Sequence, residues 1–161
     1  MGEGYTKKCS KCNYVFHANT GVGFLFPKVY AETIEKAKSG ELGPQLEVFF
    51  KEHEDGAIDA SETILCCEQC GALRNEVDLT MYVPNKSMPR NNNGRWSLSF
   101  PFKGAEYVTP WDLKEYYTEY AKYPHKCEEC GGNMRVVEEN EELLCPTCKE
   151  PLEFLEMILW D

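Results

Sequence analysis

Nine cysteines stand in this 161-residue chain, and eight of them fall into four pairs of one kind: Cys9-x-x-Cys12, Cys67-x-x-Cys70, Cys127-x-x-Cys130 and Cys145-x-x-Cys148. A CxxC turn brings two sulfurs to one side of the backbone, where N–H groups can point at them and stabilise thiolate charge. Two such turns supply four sulfurs, the donor set of a closed tetrahedral metal site. Four turns therefore predict two sites, with those eight cysteines as the metal ligands. The residue after the second cysteine often needs left-handed backbone geometry, which glycine takes freely and asparagine tolerates. Asn13, Gly71 and Gly131 meet that need, and Lys149 does not.

The ninth cysteine lies in "ETILCCEQC", where Cys66, Cys67 and Cys70 crowd five positions. Laid over "EELLCPTC", Cys67 falls on Cys145, Cys70 on Cys148 and Cys66 on Leu144. Pairing Cys66 with Cys70 would demand a wider turn and displace Gly71. Cys66 is thus expected to be a strand residue that packs as a small hydrophobe.

Sequence order suggests which turns combine. Cys127 to Cys148 reads CxxC-x14-CxxC, suited to a two-strand ribbon, which leaves Cys9 and Cys12 to meet Cys67 and Cys70 across 54 intervening residues. Loop closure grows costlier only slowly with length. The segment "CEECGGNMRVVEENEELLCPTCKEPL", with Gly131 after Cys130 and Pro146 after Cys145, resembles the zinc-ribbon superfamily. The N-terminal half is similar in outline to uncharacterised bacterial domains with two CxxC motifs. The ribbon resemblance implies a structural metal but no particular function, since ribbons serve many. Zn²⁺, two per chain, is the expected metal. Iron is the alternative, because four sulfurs in two such turns also describe a rubredoxin-type redox centre.

The elements that would position these turns can be read from periodicity. Tyr30, Ile34 and Ala37 form one helical stripe in Lys28–Ser39, with Gly40 to stop it. Pro44 opens a second helix, whose stripe is Leu46, Phe49, Phe50 and His53. Val77, Leu79, Met81 and Val83 alternate as a strand, as do Trp96, Leu98, Phe100 and Phe102, and turn formers lie between. Thr109 caps a third helix with Pro110 and Asp112 in its first turn, and Leu113, Tyr116, Tyr117 and Tyr120 would be its apolar face, up to Pro124. Strands "NMRVVEE" and "ELLC" would then form the last ribbon. The apolar C-terminal "LEFLEMILWD" is expected to pack on that helix or on another subunit.

This organisation is an α+β fold of two small zinc-ribbon-like modules with antiparallel strands and accompanying helices. Residues 1–105 would form the first, with a helical insertion at about 28–54 and an extra hairpin at 77–102. Residues 106–161 would supply a helix and the second ribbon.

Charge and cysteine usage narrow the function classes. The formal charge is −10, and eight thiolates with two Zn²⁺ would make it about −14. Such a chain repels polyanions on average. The exception is Leu79–Ala105, which has no acid but carries Lys86, Arg90, Arg95 and Lys103 near Trp96. Nucleic acid is therefore a possible partner through Lys86, Arg90, Arg95 and Trp96, and a protein partner is the leading expectation. Unpaired thiols, no apolar leader and no long apolar run point to a cytoplasmic setting without a membrane.

Two short matches, Met1-Gly2 with Thr6 for myristoylation and Asn85-Lys86-Ser87 for glycosylation, are of a length that chance produces. His17 and His125 lie near metal-ligating turns, and His53 lies on a helix stripe. None is needed as a ligand when the cysteines suffice. No P-loop, nucleophile elbow, HExxH or dinucleotide fingerprint occurs, and a full site lacks the open position of a hydrolytic zinc. A non-enzymatic interaction or adaptor module is the expectation.

Overall fold

A computed structural model describes residues 2–88 and 107–160 of the chain, with the side chains of 159 and 160 excepted. Its elements in chain order are β1 (Gly2–Cys9), β2 (Val15–Thr20), α1 (Phe26–Lys38), α2 (Pro44–Glu52), β3 (Ala57–Ile58), β4 (Glu62–Cys67), β5 (Leu73–Val77), β6 (Met81–Pro84), α3 (Pro110–Tyr116), β7 (Tyr117–Ala121), β8 (Met134–Val136) and β9 (Leu152–Trp160). Among the described residues, three helices with small antiparallel sheets make this the α+β class that the sequence implied. Among the described residues no helix is long and apolar enough to cross a membrane.

The chain divides into two compact units, each discontinuous in sequence. The first comprises Met1–Phe24, Ser61–Asp78 and Pro124–Asp161, and the second Leu25–Ala60 and Leu79–Tyr123. This differs from two consecutive modules: the N-terminal and C-terminal segments belong to one unit.

That first unit holds two three-stranded sheets, ordered β2-β1-β9 and β5-β4-β8. The apolar C-terminus pairs with the N-terminus. Gly2 through Cys9 run antiparallel to Trp160 through Leu152, with one irregularity between Thr6 and Lys7. β8 pairs with β4, Leu65 facing Val136 and Cys67 facing Met134. The ribbon expected between "NMRVVEE" and "ELLC" is therefore absent. Val137 bonds back to Ile64, and the Arg135–Glu141 ion pair closes the intervening turn. The two sheets are joined by Gly21 and Glu62, which exchange backbone hydrogen bonds of 2.9 and 3.0 Å. Asn75 adds two more, as its Oδ1 accepts from Asn19 N–H and its Nδ2 donates to the Asn19 carbonyl, while Nδ2 also donates to the Thr63 carbonyl within its own sheet.

In the second unit, α1 buries Phe26, Tyr30, Thr33 and Ala37. The stripe is as expected except that Thr33 takes the place of Ile34. Its hydroxyl is satisfied by the Val29 carbonyl, 2.7 Å away. α2 buries Leu46, Phe49 and Phe50, and His53 is its C-cap. The strand expected through Val77–Val83 is interrupted, because Leu79 adopts φ 64. β5 and β6 accordingly lie in different sheets, β6 between β3 and β7. α3 has the expected capping box between Thr109 and Asp112. It ends at Tyr116, and Tyr117–Ala121 forms β7, since that aromatic and β-branched run fits a pleated strand and pairs with β6. Asn85 donates to the Tyr117 carbonyl at 3.1 Å, a structural use for the first residue of the glycosylation match. The expected strand from Trp96 to Phe102, together with Arg90, Arg95 and Lys103, lies outside the described residues. Lys86 is exposed.

Because Asn75 is half-buried and its side chain holds two bonds to Asn19 in the other sheet and one to Thr63 in its own, Asn75→Ala is expected to lower the unfolding free energy by about 1–3 kcal/mol. A denaturant midpoint unchanged from wild type would refute this role.

Candidate metal centres

The four cysteine turns are built alike. In each, the N–H of the first cysteine donates to the carbonyl five residues on: Cys9 to Tyr14, Cys67 to Ala72, Cys127 to Gly132 and Cys145 to Glu150, at 2.8–3.0 Å. The flanking residues also pair in one register: Lys8 with Val15, Cys66 with Leu73, Lys126 with Asn133 and Leu144 with Pro151. Cys66 thus occupies the position of Leu144, as expected. Burial pushes its thiol pKa up, as befits a packing residue.

Left-handed geometry follows in three of the turns, though not the expected three. Gly71 (φ 77), Gly131 (φ 72) and Lys149 (φ 62) adopt it, and Asn13 does not. In those three turns a further hydrogen bond of 2.8–3.0 Å returns to the first cysteine's carbonyl. Gly132 is needed for a different reason: a Cβ there would lie 2.8 Å from Gln69 Oε1 and 3.2 Å from Cys130 Sγ.

These turns converge into two groups of four sulfurs, and the sulfurs of each group all lie within 4.8 Å of one another. Group one is Cys9, Cys12, Cys145 and Cys148, and group two is Cys67, Cys70, Cys127 and Cys130. All eight expected cysteines take part, but their combination is nested rather than consecutive. The cause is strand pairing. The β1–β9 ladder carries the first turn to the last, and the β4–β8 ladder carries the second to the third.

A metal fits both groups. Sulfurs at about 2.3 Å from a tetrahedral zinc stand about 3.8 Å apart, and Cys12–Cys145, Cys67–Cys130 and Cys70–Cys127 are separated by 3.7, 3.5 and 3.7 Å. No cysteine is in a disulfide. Backbone N–H groups already point at sulfur: Gln69 and Cys70 donate to Cys67 Sγ, and Cys148 to Cys145 Sγ, each at 3.4 Å.

Electrostatics express the same arrangement. The Cys70 and Gln69 N–H donors bring the Cys67 pKa down to about 6. Burial raises that of Cys145, but the Cys148 and Thr147 N–H groups outweigh it and leave it at about 7. Cys148 is pushed up to about 12 by the neighbouring Cys12 thiol, by burial and by Cys9. Cys130 also reaches about 12, because Cys67, burial and its other sulfur neighbours outweigh the Gly132 N–H. A group of four can ionise fully only around a cation.

The histidines are engaged elsewhere. His17 Nδ1 meets Thr6 Oγ1 at 2.8 Å, and that hydroxyl donates to Glu156. His125 is buried, and its Nε2 donates to the Asp78 carbonyl at 2.7 Å. His53 packs its ring on Tyr120 and Phe49.

Sequence reasoning missed two contacts that hold group two. Arg74, on β5 just after the Cys67–Cys70 turn, donates to Glu128 in the Cys127–Cys130 turn at 2.7 Å. Lys149 Nζ donates to the Cys70 carbonyl at 2.9 Å. An exceptional residue at the left-handed position was the available signal for the second. No family model, curated protein or solved structure matches the chain.

Two measurements check this centre. In metal counts per chain, Cys12→Ser with Cys145→Ser is expected to remove one metal, and Cys12→Ser with Cys70→Ser to remove both. Cys66→Ala should retain both. The opposite pattern would restore the consecutive combination. The second is acid sensitivity. Protons and metal compete for the same sulfurs, so affinity falls as pH falls, most steeply once Cys145 and then Cys67 take up protons below about pH 7. Metal should survive dialysis at about pH 8 and be lost by about pH 5, and retention that does not vary with pH would contradict the assignment.

Proposed function

We propose that the chain is a non-enzymatic zinc protein in which two structural Zn(Cys)₄ sites hold an interaction module. The observation that carries this reading is the donor set. Each group offers four sulfurs at tetrahedral spacing, which leaves no open position for water or substrate. Thiolate-only ligation selects soft or borderline metals, zinc and iron foremost. Zinc adds charge without redox chemistry, as a structural role requires.

The interaction part of the reading is supported by β9. It is the outer strand of its sheet, and Phe154, Leu155, Met157 and Ile158 along it are each 57–61% exposed. Exposed apolar side chains on both faces of an edge strand suit a protein partner.

Elemental analysis with X-ray absorption tests the metal. The expected result is two zincs per chain, each with four sulfurs at about 2.3 Å. A coloured preparation with reversible one-electron reduction would replace zinc with iron. A turnover lost on substituting one ligand cysteine, with the fold intact, would overturn the non-enzymatic reading.

A further inference from the structure

Lys149 stands out on two independent grounds. It follows Cys148, a ligand of group one, and holds φ 62 where the equivalent residues of both turns of group two are glycines. A side chain at that φ is a backbone cost that glycine would remove, and such costs persist where something else gains. What gains is visible at the other end of the side chain. Nζ donates at 2.9 Å to the carbonyl of Cys70, a ligand of group two. A Cβ on Gly71 would stand 3.0 Å from that same Nζ, so the glycine also clears the approach.

We propose that Lys149 couples the two metal centres, so that loading one raises the affinity of the other. This rests on the reading that both groups bind metal. Closing the Cys145–Cys148 turn around a metal fixes Lys149 in its left-handed conformation, with Lys149 N–H on the Cys145 carbonyl at 2.9 Å. That conformation aims the ammonium at the Cys67–Cys70 turn. A loaded four-thiolate zinc centre carries a net charge of −2, so an ammonium fixed beside group two favours its loaded form. Coupling of this kind is reciprocal, since each metal must alter the other's affinity by the same factor. Because the lysine is exposed, the factor is small and shrinks with salt.

The test is zinc affinity at group two, measured on the full chain by competition with a chromophoric chelator. It compares wild type, Cys12→Ser, Lys149→Gly, the double variant of these two, and Lys149→Met. Cys12→Ser disables group one and is expected to weaken zinc at group two several-fold. Lys149→Gly should do the same while group one stays loaded, and the double variant should be no weaker than either. Lys149→Met keeps a long side chain without the ammonium and should match Lys149→Gly. Losses that multiply in the double variant, or a Lys149→Met protein with wild-type affinity, would overturn the proposal. If Cys12→Ser does not fold, stepwise loading of the wild-type and Lys149→Met chains decides: the two zinc affinities should be linked in the first and unlinked in the second, and equal linkage in both would overturn the proposal. Two zincs with unlinked affinities would defeat the coupling alone, whereas a wild-type chain that binds none would defeat the metal reading beneath it.

Discussion

Four sulfurs within 4.8 Å of one another cannot all be thiolates without a cation among them. That repulsion is the constraint around which the first unit is arranged. Its sheets have three strands each, and small cores commonly need a metal or disulfide staple. The interior buries few large side chains besides the grouped cysteines: Cys9 and Cys145 share a cluster with Phe16, Ile64, Leu73, Leu143 and Leu152. Cys67 and Cys127 share another with Leu65 and Met134. A metal at each group would convert the least favourable feature of this interior into its strongest bond.

β4 joins the two centres. Successive residues of a strand point to opposite faces, and here that alternation separates two neighbouring cysteines. Cys67 belongs to sulfur group two and packs with Cys127 and Met134, whereas Cys66 packs against the cluster that holds Cys9 and Cys145. The doublet that makes the sequence ambiguous is thus a consequence of one strand serving both sides. A sulfur joins its group on one face, and a small apolar residue suffices on the other.

Legibility in the sequence followed distance along the chain. The turns themselves, the place of Cys66, most of the α1 and α2 stripes and the Thr109 capping box all depend on residues a few positions apart, and all could be read. What depends on remote pairing could not. Nothing within "MGEGYTKKC" names "LEFLEMILW" as its partner, yet that ladder decides which turns share a metal. The strand expected through Leu79 failed for a related reason. Its alternation is real, but the φ of Leu79 sends the two halves to different sheets. Tyr117–Ala121 shows tertiary context overriding period, since a helical spacing of tyrosines serves equally as a strand once β6 is beside it. The left-handed position is taken by Lys149 and not by Asn13, and at Lys149 it accompanies a side-chain contact to the Cys70 carbonyl that no local pattern encodes.

The consecutive combination that sequence order favours is also the one that chain entropy favours, so the nested one needs a physical justification. Consecutive sites would close loops of 54 and 14 residues, whereas nested sites close 56 residues and then an outer loop. With the inner site formed, that outer loop is effectively about 70 residues, and the logarithmic closure cost makes nesting dearer by only about 1.5 kcal/mol. Against this stands a ladder that pairs every residue from Gly2 to Cys9 with β9, with Thr6 and Leu152 buried along it. Burying one leucine side chain is worth about 1.5–3 kcal/mol, which already offsets the difference. Both combinations would satisfy eight sulfurs equally, so the metals cannot choose between them. The choice falls to the strands, and the terminal ladder tips it towards the nested arrangement.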